Sequence, residues 1–378
     1  MTRPRIVFLV TEDWYFWAHR LPQARAARDA GFDVHVATRV DQHRDRIAGE
    51  GFTLHALSWS RGSIDPVGAG AAVAEIANLY RALSPDLVHH VSQKSILFGS
   101  LAARIAKVRR VVNAFTGLGL IFAGSGMRNR MLRVAIGSAL KTLIDRPGTL
   151  TLVENPDDAA LLTSRKLVDP SRVRVIRGSG VDLTAYDSLP VPVDGQVIGL
   201  ASRLLRIKGI DVAVAAQKIL RARGYASRLL IAGAPDGENA ASFTQQDLAH
   251  WRDVPGVELL GKLDDVRSLW QRAAIGVLPS RGGEGIPMSL LEAAACARPL
   301  VATDVPGCRE IVRNGVNGTL VPVDDADALA NALMPLLDDS ALRERYGAAS
   351  RALVESDLAA DAVGRATVAV YRELLASV

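Results

Sequence analysis

Short, nearly continuous apolar runs recur along this chain at intervals that leave room for one helix each, and that rhythm restricts the fold more than any other feature. The runs Arg5–Val10, Asp33–Thr38, Thr53–Trp59, Leu87–Val91, Arg109–Phe115, Thr149–Glu154 and Val173–Ile176 occupy the first half. They do not alternate apolar with polar, which is the pattern of parallel strands buried on both faces. Between them His19–Ala30, Val67–Leu83 and Ser95–Ala106 carry helical periodicity, with Gly31 placed as a C-cap. After a break at Asp187–Gly195, DSLPVPVDG, the rhythm restarts with Val197–Ala201, Arg228–Ala232, Val257–Gly261, Ile275–Leu278, Leu300–Thr303 and Thr319–Val323. Asp325–Val378 reads as helices alone.

Two such series predict an α/β protein of two Rossmann-like, doubly wound parallel-sheet domains. The length of 378 residues agrees, because one core stops growing near about 250–300 residues. Ligands of such sheets bind beyond the carboxyl ends of the strands, so two facing sheets would place a donor and an acceptor in one cleft. Cys296 and Cys308 stand in no disulfide framework and read as buried free thiols of a cytoplasmic protein. MTRPRIVFLV lacks the features of a signal peptide, and no window of 18 residues is free of charge, so no transmembrane helix is expected.

Charge is unevenly placed. Between Ala102 and Arg146 nine Lys and Arg face a single acid, Asp145. Such a stretch suits an anionic partner, a phospholipid surface or a diphosphate-bearing acceptor. Within it Met127–Arg146 mixes apolar residues with five bases, the composition of a helix lying on the inner face of an anionic membrane as a peripheral attachment. The run has no interleaved aromatics and no recognised binding module, so a nucleic-acid partner is not expected.

The segment Pro279–Ala294, PSRGGEGIPMSLLEAA, carries the chemistry. Glu284 sits in a glycine-rich turn after a strand, and Glu292 follows eight residues later on a helix beginning near Pro287. A helix of that length rises roughly 12 Å, which separates the two carboxylates. A nucleotide sugar has hydroxyls at both ends and a pyrophosphate between. One carboxylate can meet each end while the backbone N–H groups around Gly285 and Ile286, before Pro287, face the anionic middle. In Gly199–Gly209, GLASRLLRIKG, Arg203 closes a strand and Lys208 precedes a helix; a planar guanidinium and an ammonium suit two phosphates, and would stabilise a leaving diphosphate.

With these residues in place the chain resembles the family 4 retaining glycosyltransferases, whose fold is called GT-B. The family's paired glutamates stand as Glu284-Gly-Ile-Pro-Met-Ser-Leu-Leu-Glu292, and its Arg and Lys-Gly element as Arg203-Leu-Leu-Arg-Ile-Lys208-Gly209. Val301–Glu310 and Asn314–Pro322 resemble the run that follows. The resemblance implies a metal-independent hexosyltransferase that needs no cofactor beyond its nucleotide-sugar co-substrate. It implies an acceptor-side domain over 1–187, a nucleotide-sugar domain over 188–357, and a last helix, about 358–378, that returns to the first.

By matched position Arg203 and Lys208 would hold the diphosphate, Glu284 the donor sugar and Glu292 the ribose. Lys262 and Leu263 would lie beside the base with Gly233 lining the same pocket, and Gly180 in the loop between the domains. The first half departs from the pattern. Thr11–Arg20 replaces a glycine-rich loop, and Asn113-Ala-Phe-Thr116-Gly117 replaces a segment bearing a His. Members acting on lipid-diphosphate acceptors in capsule or lipopolysaccharide assembly share these departures, which implies a hexose or N-acetylhexosamine passed from a UDP sugar to a polyprenyl-diphosphate glycan. His19, Arg20 and Thr116 then become cleft-facing candidates, and of His89 and His90 one, taken as His90, would face the cleft. Two rivals stand beside this reading: a UDP-N-acetylglucosamine 2-epimerase, and a non-catalytic nucleotide-sugar-binding protein.

Overall fold

Residues 3–59, 66–118, 141–192, 194–283 and 285–377 are described by the structure, a computed structural model. The chain forms two compact units, Met1–Gly180 with Ala360–Val378, and Val181–Ala359.

In the first unit a seven-stranded sheet runs β3-β2-β1-β4-β5-β6-β7, every neighbour parallel. Its strands are β1 (Arg5–Glu12), β2 (Asp33–Arg39), β3 (Thr53–Ala56), β4 (Leu87–Val91), β5 (Val111–Ala114), β6 (Thr149–Val153) and β7 (Val173–Val175). Strand alternation divides β1 between two cores. Ile6, Phe8 and Val10 pack with Phe16, Val363, Tyr371 and Leu374, whereas Val7 and Leu9 pack with Ile76, Tyr80, Ala102 and Ala103 on the other face. Each large side chain buried this way contributes about 1.5–3 kcal/mol. The last helix, Ala360–Ala376, lies along Leu21–Asp29, and a Cβ on Gly364 would come 2.7 Å from that of Ala26, so the small residues set how closely the helices approach.

The expected helix His19–Ala30 is observed over Leu21–Asp29, with a separate helix before it. Asp13–His19 forms one helix and Leu21–Asp29 another, with Arg20 between them at φ −124°. Pro22 opens the second, where a missing N–H costs nothing. Asp13 anchors the first: its buried carboxylate accepts the N–H groups of Trp14, Asp41 and His43 at 2.7, 2.8 and 2.9 Å.

The second unit carries a six-stranded parallel sheet, β10-β9-β8-β11-β12-β13. The strands are β8 (Val197–Ala201), β9 (Arg228–Ala232), β10 (Val257–Gly261), β11 (Ile275–Leu278), β12 (Leu300–Thr303) and β13 (Gly318–Val321). Ile198 and Leu200 face one core with Ile210 and Leu333, and Val197 and Ala201 face the other with Trp270, Leu290 and Leu291. The described residues of 187–195 form no strand or helix and belong to this unit, where Leu183, Tyr186 and Leu189 pack on its core. Cys296 and Cys308 are buried thiols outside any disulfide. Among the described residues no helix is long and apolar enough to cross a membrane.

Candidate functional site

In both sheets the direction of strand addition reverses once: between β1 and β4 in the first unit, and between β8 and β11 in the second. Loops leaving the carboxyl ends of such a pair diverge to opposite faces and open a crevice, the usual ligand position in doubly wound sheets. In the second unit the two diverging loops are those that the sequence singled out. Arg203 and Lys208 follow β8, and 279–287 follows β11. Gly233 follows β9 and Lys262–Leu263 follow β10, so four neighbouring strands deliver these residues to one edge.

The backbone is shaped for close approach there. Gly209 has φ +68°, and a Cβ on it would lie 1.9 Å from the Pro279 carbonyl oxygen. Gly233 has φ +152°, and its Cβ would meet the Ser202 carbonyl oxygen at 1.8 Å. Only glycine fits either place. Arg203 is exposed and pairs with Asp236 Oδ2 at 3.0 Å, while Lys208 is half-buried at the end of a short turn, Arg206–Lys208. Lys262 is exposed and Leu263 packs against the core. Gly285, Ile286 and Pro287 are buried, and the helix Met288–Ala295 starts after Pro287 with no side chain capping it. Glu284 lies outside the described residues.

A residue that sequence reasoning missed joins the two loops. The Arg281 guanidinium donates to both Asp211 carboxylate oxygens at 3.0 and 2.8 Å, to Asp324 at 2.6 Å, and to the Arg206 carbonyl. Its own N–H donates to the Ile207 carbonyl at 2.8 Å. The turn bearing Lys208 is thereby fixed to the segment that leads to Glu284. An Arg beside two glycines was the available signal.

Glu292 is half-buried on the helix Met288–Ala295 and accepts the Tyr186 hydroxyl at 3.0 Å. Burial pushes its carboxyl up to about 7, with Asp265 adding to the rise and the Tyr186 hydrogen bond opposing it.

The first unit treats its five candidates differently. His19 and Thr116 are half-buried beside Tyr15: the His19 ring lies 4.3 Å from the Tyr15 ring, and burial raises the Tyr15 hydroxyl while Arg20 and Thr116 oppose the rise. Sequence reasoning passed over Tyr15. Arg20 is buried and held from several sides, by Glu154 at 3.0 Å, Gln23 at 3.2 Å and Ser179 at 3.5 Å. With His89, Phe115, Glu154 and Gly178 it lines a small cavity at the carboxyl end of the sheet. Gly180 ends this unit with φ +70°.

His90 corrects an expectation. His90 is enclosed, whereas His89 lines the cavity that Arg20 also lines. His90 lies between the Tyr80 hydroxyl at 3.1 Å and the Asn113 amide oxygen at 3.0 Å, and His89 sits 2.6 Å from the Tyr371 hydroxyl. Burial pushes the His90 imidazole down to about 3, so it is neutral. The two rings do point to opposite faces, but helices cover both faces of a parallel sheet.

Comparison with known proteins bears on this edge. The family model described as Glycosyl transferases group 1 matches residues 195–339, and the one described as Glycosyl transferase 4-like matches residues 5–143. A curated relative from Campylobacter jejuni is 25% identical over 90% of this chain and 91% of its own: N,N'-diacetylbacillosaminyl-diphospho-undecaprenol alpha-1,3-N-acetylgalactosaminyltransferase. The putative glycosyltransferase EpsD of Bacillus subtilis is 27% identical over 92% of this chain and 91% of its own. Among solved structures, sucrose-phosphate synthase from Thermosynechococcus elongatus superposes with a TM-score of 0.82 at 20% identity, covering all of both chains. Anabaena HepE, solved with UDP and glucose, superposes with a TM-score of 0.78 at 18% identity over 97% of this chain and 99% of its own.

Proposed function

Because the chain belongs to the group 1 glycosyltransferases, with the GT-B fold, we propose that it transfers a hexose or N-acetylhexosamine, with retention, from a UDP sugar to a glycan on a polyprenyl diphosphate in cell-surface polysaccharide synthesis. The observation that carries this reading is the gathering of Arg203, Lys208, Gly285–Pro287 and the helix of Glu292 at the β8/β11 reversal. A guanidinium and an ammonium after one strand, and a glycine turn leading into a helix start after its neighbour, suit a diphosphate.

The second unit takes the donor. Arg203 and Lys208 bear on the diphosphate, Glu284 on the sugar and Glu292 on the ribose, with Gly233, Lys262 and Leu263 around the base. As the bond from the anomeric carbon to the phosphate oxygen breaks, its electrons pass to that oxygen, where the two cations lower the energy of the developing charge. The acceptor hydroxyl bonds the anomeric carbon from the same face, and its proton goes to the departing phosphate oxygen. The first unit takes the acceptor, with His19 and Thr116 beside Tyr15 and Arg20 supporting them. Support for UDP comes from the HepE complex, and support for the acceptor from the undecaprenol diphosphate in the Campylobacter enzyme's name.

Such an acceptor resides in a membrane, and the proposal includes peripheral attachment. Residues 127–140 of the basic stretch lie outside the described residues. The helix Gln93–Ile105 supplies further support: Leu97, Leu101 and Ile105 share one face and are exposed. Arg104, Lys107 and Arg109 are exposed beside them, and no acid occurs between Asp86 and Asp145.

A thermal-shift panel of UDP, GDP and ADP sugars tests the donor. A UDP sugar at a hundred times its Kd stabilises by about 2.7 kcal/mol; silence from every nucleotide overturns the assignment. Lys208→Ala lowers kcat by roughly 10²–10³-fold, and an inverted product overturns retention.

A further inference from the structure

The segment after Gly180 is built into the second unit at several points. Tyr186 N–H donates to the Asp182 carbonyl at 2.9 Å. Arg267 donates to the Ala185 carbonyl at 3.0 Å, and Arg351 to the Tyr186 carbonyl at 2.6 Å. The same Arg351 nitrogen donates to the Ala295 carbonyl at 2.7 Å, at the end of the helix that carries Glu292. One cation therefore ties the backbone of Tyr186 to the helix of Glu292. From this fixed position the Tyr186 hydroxyl reaches Glu292 Oε1 at 3.0 Å, the one side-chain hydrogen bond of Glu292 among the described residues.

A glutamate side chain has three torsions, and leaving it unheld makes a ligand meet the entropy of ordering it. Here one oxygen is held by a phenol on an anchored backbone, and the half-buried carboxylate keeps a second oxygen for another donor. We infer that Tyr186 is a positioning residue for the nucleotide donor, whose hydroxyl orients the Glu292 carboxylate to accept a ribose hydroxyl. This rests on the proposed donor site and adds to it a residue from outside the paired-glutamate segment. The phenol keeps the proton that it donates, because burial and then the Glu292 charge raise it well above the ordinary range.

The arrangement makes donor binding depend on pH. With Glu292 near 7, acidification protonates the carboxyl and removes the charge that ribose hydroxyls bond to. The groups facing the pair are Asp265 and Arg267 from the start of helix Arg267–Arg272, Cys296 beyond the end of helix Met288–Ala295, and Arg351, which bonds the Tyr186 carbonyl; Arg298 bears on Cys296. Asp265 raises the Glu292 carboxyl, whereas the Tyr186 hydrogen bond lowers it.

Calorimetric titration of the full chain with UDP and with GDP, which share the ribose diol, tests this between about pH 6 and 9. The terminal phosphate of the nucleotide titrates identically in every arm and cancels in comparison. In the wild type, affinity rises with pH around a midpoint near 7. Tyr186→Phe binds roughly threefold to tenfold more weakly at neutral pH, and its midpoint moves to higher pH because a bond favouring the charged form is gone. Asp265→Asn moves the midpoint the other way. Tyr186→Phe with an unmoved midpoint, whether its affinity is unchanged or lowered equally at every pH, overturns the inference and leaves the donor site standing. Glu292→Gln binding as tightly as wild type, or no binding of either nucleotide to the wild type, overturns the donor-site reading itself.

Discussion

The Arg20 guanidinium and the Glu154 carboxylate meet at 3.0 Å inside the first unit, with side chains only 3% and 10% exposed. An ion pair so enclosed is costly to break from one side, because the survivor is left charged and without its partner. Arg20→Met therefore destabilises by about 3–5 kcal/mol in urea unfolding, and adding Glu154→Leu recovers most of that loss. A double variant whose loss is the sum of the single ones would show that the two charges are not coupled.

Gly209→Ala tests the close approach at the donor edge. With φ +68° and the Pro279 carbonyl oxygen 1.9 Å from the new Cβ, the turn must shift. The expected cost is about 1–3 kcal/mol of stability, with a rise in donor KM because Lys208 is the preceding residue. A variant with unchanged donor KM would remove this turn from the site.

His90 makes the fold sensitive to acid. Its folded value of about 3 lies below the ordinary 6.5, so on acidification the unfolded chain takes the proton first. Its contribution is complete above pH 6.5 and is lost as pH falls towards 3, by up to about 1.4 kcal/mol per pH unit. His89, lowered by burial in the same way, adds to the slope. His90→Gln, although less stable at pH 7, should give a shallower decline between pH 6.5 and 4 in denaturant unfolding.

Membrane attachment is tested on vesicles. The chain should sediment with phosphatidylglycerol-containing vesicles at low salt and be released as salt rises. Leu97→Ser with Leu101→Ser should weaken binding by roughly tenfold, while transfer to a water-soluble acceptor stays unchanged. Equal binding by that double variant would exclude the helix face.

Strand positions were legible because strands buried on both faces read as unbroken apolar runs; β8 to β12 fall where the runs fall, and β13 is displaced by one residue at its start. Long-range partners were not. Tyr186 meets Glu292 across 106 positions, and no local pattern marks the pairing. The helix Asp13–His19 was hidden for a related reason: its start is fixed by the hold of Asp13 on the amides of Asp41 and His43. Alternation separated His89 from His90 correctly, but the pattern could not tell that Tyr80 and Asn113 would enclose His90 while His89 lines a cavity beside Arg20. Asn317, in a motif noted only for its resemblance, turns out to brace the turn before β13 through the Arg313 N–H at 2.7 Å and the Ile311 carbonyl at 2.9 Å.

The helix Ala360–Ala376 gives synthesis a particular order. Val363, Tyr371 and Leu374 complete the core against β1, and Tyr371 supplies the partner of His89. A ribosome releases β1 before this helix, with the entire second unit translated in between. The core around Phe8 stays incomplete on the nascent chain until Val363, Tyr371 and Leu374 arrive, so the unit begun earlier is completed after the one inserted in it.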